Sequence, residues 1–164
     1  MKWLSRSKEA GRLPASLLMA LVAVLSGCGT DVNQQTVVTG QTLDCAVFAS
    51  NVNPIFDANI GGRTCSASGC HSVFGSSGGA FKIYPGITVV NSPEMQANFL
   101  AAKGFANLNS PADSKLLLEP LAGAQSIVGS HAGGDIFPDT FDINYLVILG
   151  WISNRIQGPS ACYP

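Results

Sequence analysis

Two thiols followed at once by an imidazole stand in Cys65-Ser66-Ala67-Ser68-Gly69-Cys70-His71, and that order of side chains is what covalent attachment of a haem requires. The thiols add across the two vinyl groups of the porphyrin. The adjoining histidine, held against the ring by that tether, coordinates iron from the proximal side. The common form is Cys-x-x-Cys-His. Here four residues separate the cysteines, and their small side chains let such a loop bow out without meeting the ring. Two other chemistries use the same residues: a local Cys65–Cys70 disulfide beside a bystander histidine, and a zinc site completed by His131.

The compartment bears on the choice. Lys2, Arg6, Lys8 and Arg12 precede an apolar run from Leu13 to Leu25, which is too short to span a bilayer comfortably and has the charge and length of a signal-peptide core. The run closes in Leu25-Ser26-Gly27-Cys28, which resembles the bacterial lipobox, whose cysteine is lipidated and becomes the mature N-terminus. The expectation is a signal peptide over 1–27 and a lipid anchor at Cys28. Residue 29 is Gly rather than Asp, so the lipoprotein-sorting pattern points to the outer membrane, facing the periplasm or the cell surface. Residues 28–42 are polar and without period, which reads as a flexible tether.

Cysteine parity then closes. Of five cysteines, one is lipidated, two belong to the motif, and Cys45 and Cys162 remain as a disulfide pair in an oxidising compartment. Pairing Cys65 with Cys70 as well is equally even, so parity does not separate haem from a second disulfide. Zinc fares worse, because secreted thiols oxidise and both histidines and both motif cysteines would have to converge. From residue 28 onward five Lys/Arg stand against nine Asp/Glu, a net of −4. That balance speaks against a nucleic-acid partner.

The elements that must position these residues are helices with glycine-rich loops between them. Val47, Phe48, Val52, Ile55 and Phe56 predict a helix over 44–58, bent or interrupted at Pro54. A second helix is expected over 93–103 and a short one over 112–118. The last is the clearest: Asp139 or Thr140 caps it, Phe141, Tyr145, Ile148, Ile152 and Ile156 form its stripe, and Gly158-Pro159 ends it. Loops at 75–79 and 129–134 suit wrapping around a flat cofactor, and a porphyrin would add apolar mass to a core that 137 residues (28–164) make thin.

Four segments in order carry a resemblance. Phe48-Ala49-Ser50-Asn51-Val52-Asn53-Pro54-Ile55-Phe56, Cys70-His71-Ser72 with Gly78-Gly79-Ala80-Phe81-Lys82-Ile83, Pro111-Ala112-Asp113-Ser114-Lys115-Leu116-Leu117, and Asn144-Tyr145-Leu146-Val147-Ile148-Leu149-Gly150-Trp151-Ile152 are together similar to the small single-haem cytochrome c domains of the planctomycete-type group. The departures are the longer cysteine spacing and the absence of the Lys-Met-Pro-Pro segment that often supplies a distal methionine. The resemblance implies a mainly α, cytochrome c-like domain over 43–164, with three to four helices around one haem c. It further implies thioethers at Cys65 and Cys70, His71 as proximal ligand, and first and last helices packed so that Cys45 meets Cys162. Past residue 27 the chain has two histidines and one methionine, so a side-chain sixth ligand is His131 or Met95. His131 lies where the family places its distal ligand. The implied function is single-electron transfer between partner proteins rather than enzymatic turnover. Its rivals are a haem-free disulfide-bonded lipoprotein that binds or scaffolds, and a peroxidase-like or ligand-sensing haem protein with an open sixth position. Trp151 and Tyr145 belong to the core or line the haem.

Overall fold

A computed structural model describes residues 40–123 and 131–162. The expected signal peptide, the Cys28 anchor, the tether up to residue 39 and Gly129-Ser130 of the second glycine-rich loop lie outside the described residues.

Asp44 opens the first helix: its Oδ1 accepts from the amides of Ala46 (2.8 Å) and Val47 (3.3 Å). Helix α1 (Cys45–Val47) runs into a π-helical turn (Phe48–Val52) and then α2 (Asn53–Asp57). The proline explains the turn. In an α-helix the Pro54 ring would press on the carbonyl four residues back. The backbone widens instead, and the amide of Asn53 donates to Phe48 O, five residues back. The expected interruption at Pro54 is thus a change of helical pitch just ahead of it.

Ser92 caps α3 (Pro93–Gly104), its Oγ accepting from the Met95 amide at 3.1 Å. Met95, Asn98, Phe99 and Ala102 form the buried face, at helical spacing. The short segment expected over 112–118 is a 3-10 turn (Pro111–Asp113) followed by α4 (Lys115–Leu118), with extended Ser114 between. Helix α5 (Ile143–Ser153) is shorter than its sequence stripe predicts. Asp142 is its cap, accepting from Asn144 and Tyr145. Asp139 instead accepts from the Phe141 amide in a turn ahead of the helix, which leaves Phe141 off the stripe and 85% exposed. At the other end the Asn154 side chain and amide both donate to Gly150 O, and the chain leaves the helix before Ile156.

Ile156 belongs to β2 (Ile156–Gln157), which pairs antiparallel with β1 (Gln41–Thr42), Gln41 opposite Gln157. The last two residues of the expected tether are therefore sheet. Pairing between opposite ends of the domain leaves no local signature, so neither strand is readable from its own neighbours. Beside this ladder Cys45 and Cys162 form a disulfide, their Cα atoms 5.4 Å apart, and Trp151 Nε1 donates to Asp44 O at 2.9 Å. Phe48 is the hub of the core, with its ring 5.3 Å from Trp151, 5.6 Å from Phe99 and 6.1 Å from Phe56. The described residues thus form a mixed structure whose regular elements are mostly helices, with one small two-stranded sheet and long connecting loops. Among the described residues no helix is long and apolar enough to cross a membrane.

Candidate functional site

The 65–71 loop folds back on itself. Cys70 N donates to Ala67 O at 2.8 Å, and His71 N to Cys65 O at 3.0 Å, so the long spacer closes into turns and leaves its two ends adjacent. A further bond, Ser66 N to Phe56 O at 2.9 Å, ties the loop to the end of α2. The segment 75–83 then wraps around it. A Cβ added to Gly75 would fall 1.8 Å from Ser68 O, and one added to Gly78 would fall 2.0 Å from Cys70 O. The backbone of the wrap touches the backbone of the motif, and only glycine permits that.

This wrap holds His71. The imidazole Nδ1 lies 2.9 Å from both Gly78 O and Phe81 O; two carbonyls facing one ring nitrogen require that nitrogen to carry the proton. Nε2 is left with the lone pair, the arrangement in which a histidine binds a metal while its other nitrogen is fixed by the protein. Burial holds the His71 pKa below its ordinary value, against the opposing pull of the Phe81 and Gly78 carbonyls, which favours the neutral, ligating form. Lys82 locks the wrap, its ammonium donating to the carbonyls of Ser72, Gly75 and Ser77.

Across from His71 stands His131. Its Nδ1 lies 2.9 Å from Gly134 O, the same disposition as at His71. The two rings are 5.7 Å apart between centroids and within 10° of parallel. Met95, the other candidate, is fully buried on α3 and does not line this region. Tyr145 and Trp151 are core residues as well; neither faces the cavity.

The cavity between these walls measures about 760 Å³, within the range of small-molecule and cofactor sites. Ile55, Phe56, Phe105, Leu116, Phe137 and Ile148 give it an apolar lining, and Cys65, Cys70, His71 and His131 all open onto it. Both motif cysteines are free thiols rather than a disulfide. Burial, aided by the nearby Cys70 and Asp57, pushes the Cys65 thiol up to about 11, so it is protonated at neutral pH. Among the described residues no three His, Cys, Asp or Glu side chains gather as a metal-binding group.

Sequence reasoning missed the carbonyls of Gly78 and Phe81 and the guanidinium of Arg63 on the cavity wall. The Gly78-Gly79 pair was the available signal for the first. Backbone acceptors carry no residue type of their own. Comparison with protein-family models, curated proteins and solved structures finds no match to this chain.

Proposed function

We propose that residues 43–164 are a cytochrome c-like domain binding one covalent haem c and serving as a single-electron carrier. The observation that carries this reading is the pair of near-parallel imidazoles, His71 and His131, facing across an apolar cavity onto which Cys65 and Cys70 open. In it, Cys65 and Cys70 would hold the group through thioethers, and His71 and His131 would be its proximal and distal iron ligands. Haem, when bound, supplies a one-electron couple whose potential depends on its axial ligands, their hydrogen bonds and burial. The chain's own residues do the rest. Gly78 and Phe81 orient His71, Gly134 orients His131, and the apolar wall would keep water from a bound group. If His71 and His131 both held the iron, no position on it would be left for a substrate, which would favour electron transfer over turnover. The acidic balance beyond residue 27 suits encounter with a redox partner of complementary charge. Lipidation at Cys28 would confine that encounter to a membrane surface, the outer membrane by the sorting pattern.

Expression in a host with a working cytochrome c maturation system tests the reading. A denaturing gel stained for haem peroxidase activity should show signal at the mature mass plus one haem. The spectrum should be low-spin without the near-infrared band of a methionine–iron bond, and Met95→Leu should not alter it. An unstained band from such a host overturns the reading in favour of the haem-free lipoprotein.

A further inference from the structure

Arg63 lies two residues ahead of Cys65, yet it reaches the opposite wall of the cavity. Its backbone is set by a tight turn: Ile60 and Arg63 exchange both hydrogen bonds, at 2.8 and 3.0 Å, around Gly61 and Gly62, whose φ angles are +59° and +83°. Positive φ at both central positions is the hairpin turn that glycine pairs favour. From this base Arg63 Nη1 donates to Asp135 O at 3.3 Å. Its guanidinium packs so closely on Gly134 that a Cβ there would come within 2.6 Å of both Cζ and Nε.

The segment it rests on is the one that holds His131. Gly134 O faces His131 Nδ1 at 2.9 Å, and Gly134 N donates to His131 O at 2.7 Å. The neighbouring ties run elsewhere: Ile136 N and Phe137 N donate to Pro120 O, and Ala122 N to Phe137 O, all fastening the chain behind the loop to the end of α4. Among the described residues, the Arg63–Asp135 bond is the hydrogen bond that joins the 131–135 loop to the strand of chain carrying Cys65 and His71. A planar guanidinium can pack on a peptide and donate at its rim at once, which an ammonium cannot.

We infer that Arg63 is a positioning residue, a clasp that holds the His131 loop across the cavity so that His131 stays opposite His71. The clasp itself is independent of any cofactor; its consequence for iron rests on the haem reading above.

Two measurements on the full-length protein separate these. The first is hydrogen exchange of peptides covering 131–135, with or without haem. Losing a bond donated by a charged group should speed exchange there about tenfold or more in Arg63→Ala, and likewise in Gly134→Ala, which keeps the arginine but intrudes on it. Arg63→Lys should be intermediate, and Arg155→Gln, which removes a positive charge near β2, should match the parent. Unchanged exchange in both Arg63→Ala and Gly134→Ala overturns the clasp whatever the cofactor state. The second is carbon monoxide binding to the reduced haem protein. The parent should resist it, and Arg63→Ala should bind about 10–100-fold faster, the usual scale for loss of a residue that orients a metal ligand. Faster exchange without faster carbon monoxide binding overturns the positioning role. A parent that binds carbon monoxide freely shows that His131 is not on the iron, and overturns both that role and the ligand assignment.

Discussion

Phe48 and His71 are held in opposite ways. Phe48 is fully buried and packs its ring on Phe56, Phe99 and Trp151, so its place is set by apolar burial and shape, worth about 3–5 kcal/mol for such a side chain. His71 is half-buried, and its ring is oriented by two backbone carbonyls from a glycine-rich wrap. Around Phe48 the chain approaches through side chains; around His71 it approaches through glycine backbone, at separations that leave no room for a Cβ. A site built by backbone contact is rigid against small displacements and intolerant of substitution, while a packed aromatic core tolerates change in proportion to lost volume. The helical half is a frame, and the loop half is a mould for whatever fills the cavity.

The strongest way to separate frame from mould is to remove the Cys45–Cys162 bond. Because it closes a sequence separation of 117 residues, replacing both cysteines by serine should cost about 4–5 kcal/mol on chain-entropy grounds, read as a lower denaturant midpoint. Neither Cys45 nor Cys162 lines the cavity, so the spectrum of the remaining folded protein should not change. A spectral change would show that frame and mould are one unit.

Gly78→Ala attacks the mould alone. Its φ of +87° and a Cβ 2.0 Å from Cys70 O combine left-handed strain with a backbone clash, together about 2–5 kcal/mol. The expected outcome is loss of haem staining with the helical circular dichroism largely kept. Retained staining would mean that the carbonyls of Gly78 and Phe81 do not decide how His71 is presented.

Cys65 offers a pH test of comparable or slightly smaller size. Burial lifts its thiol to about 11 from an ordinary value of 9.0, so the folded state keeps the proton that the unfolded chain releases. Stability is complete below pH 9 and falls as pH rises from there through about 11, by on the order of 2–3 kcal/mol. A thioether has no proton to lose. Protein made without haem attachment should therefore show this alkaline loss, and the haem-bearing protein should lack the Cys65 contribution. Equal alkaline profiles in the two forms would place Cys65 outside the attachment chemistry.

The smallest effect belongs to the frame. Asp142→Ala removes the side chain that accepts from Asn144 and Tyr145 at the start of α5, at a cost of about 1 kcal/mol. Thermal melting should register it without any change at the cavity. Asp139→Ala should cost less, since that residue caps only the turn before the helix.

Much of the frame is legible in the amino-acid order. Ser92-Pro93 announces α3 because an N-cap and a first-turn proline act within one turn, and the buried face of α3 follows the 3.6-residue period. With Cys28 set aside as the expected lipidation site, the cysteine count pairs Cys45 with Cys162 whether Cys65 and Cys70 take a haem or each other. The stripe of α5 misleads at both ends, since Phe141 and Ile156 keep helical spacing while caps at Asp142 and Asn154 take them out of the helix. A period says which side chains would share a face; the local competition for backbone hydrogen bonds says where the helix stops.

In the site, the order of residues by itself determined which groups can do chemistry: two thiols and a histidine in one loop, and a second histidine as the alternative to a single methionine. Only the tertiary structure decided that His131 faces His71 while Met95 is buried on α3, that two carbonyls fix the His71 ring, and that Arg63 reaches the far loop. The reason is physical. Residue type and short spacing encode local geometry and reactivity, whereas a carbonyl acceptor has no side-chain identity and a contact across 72 residues, such as Arg63 to Asp135, exists only once the core between them has packed.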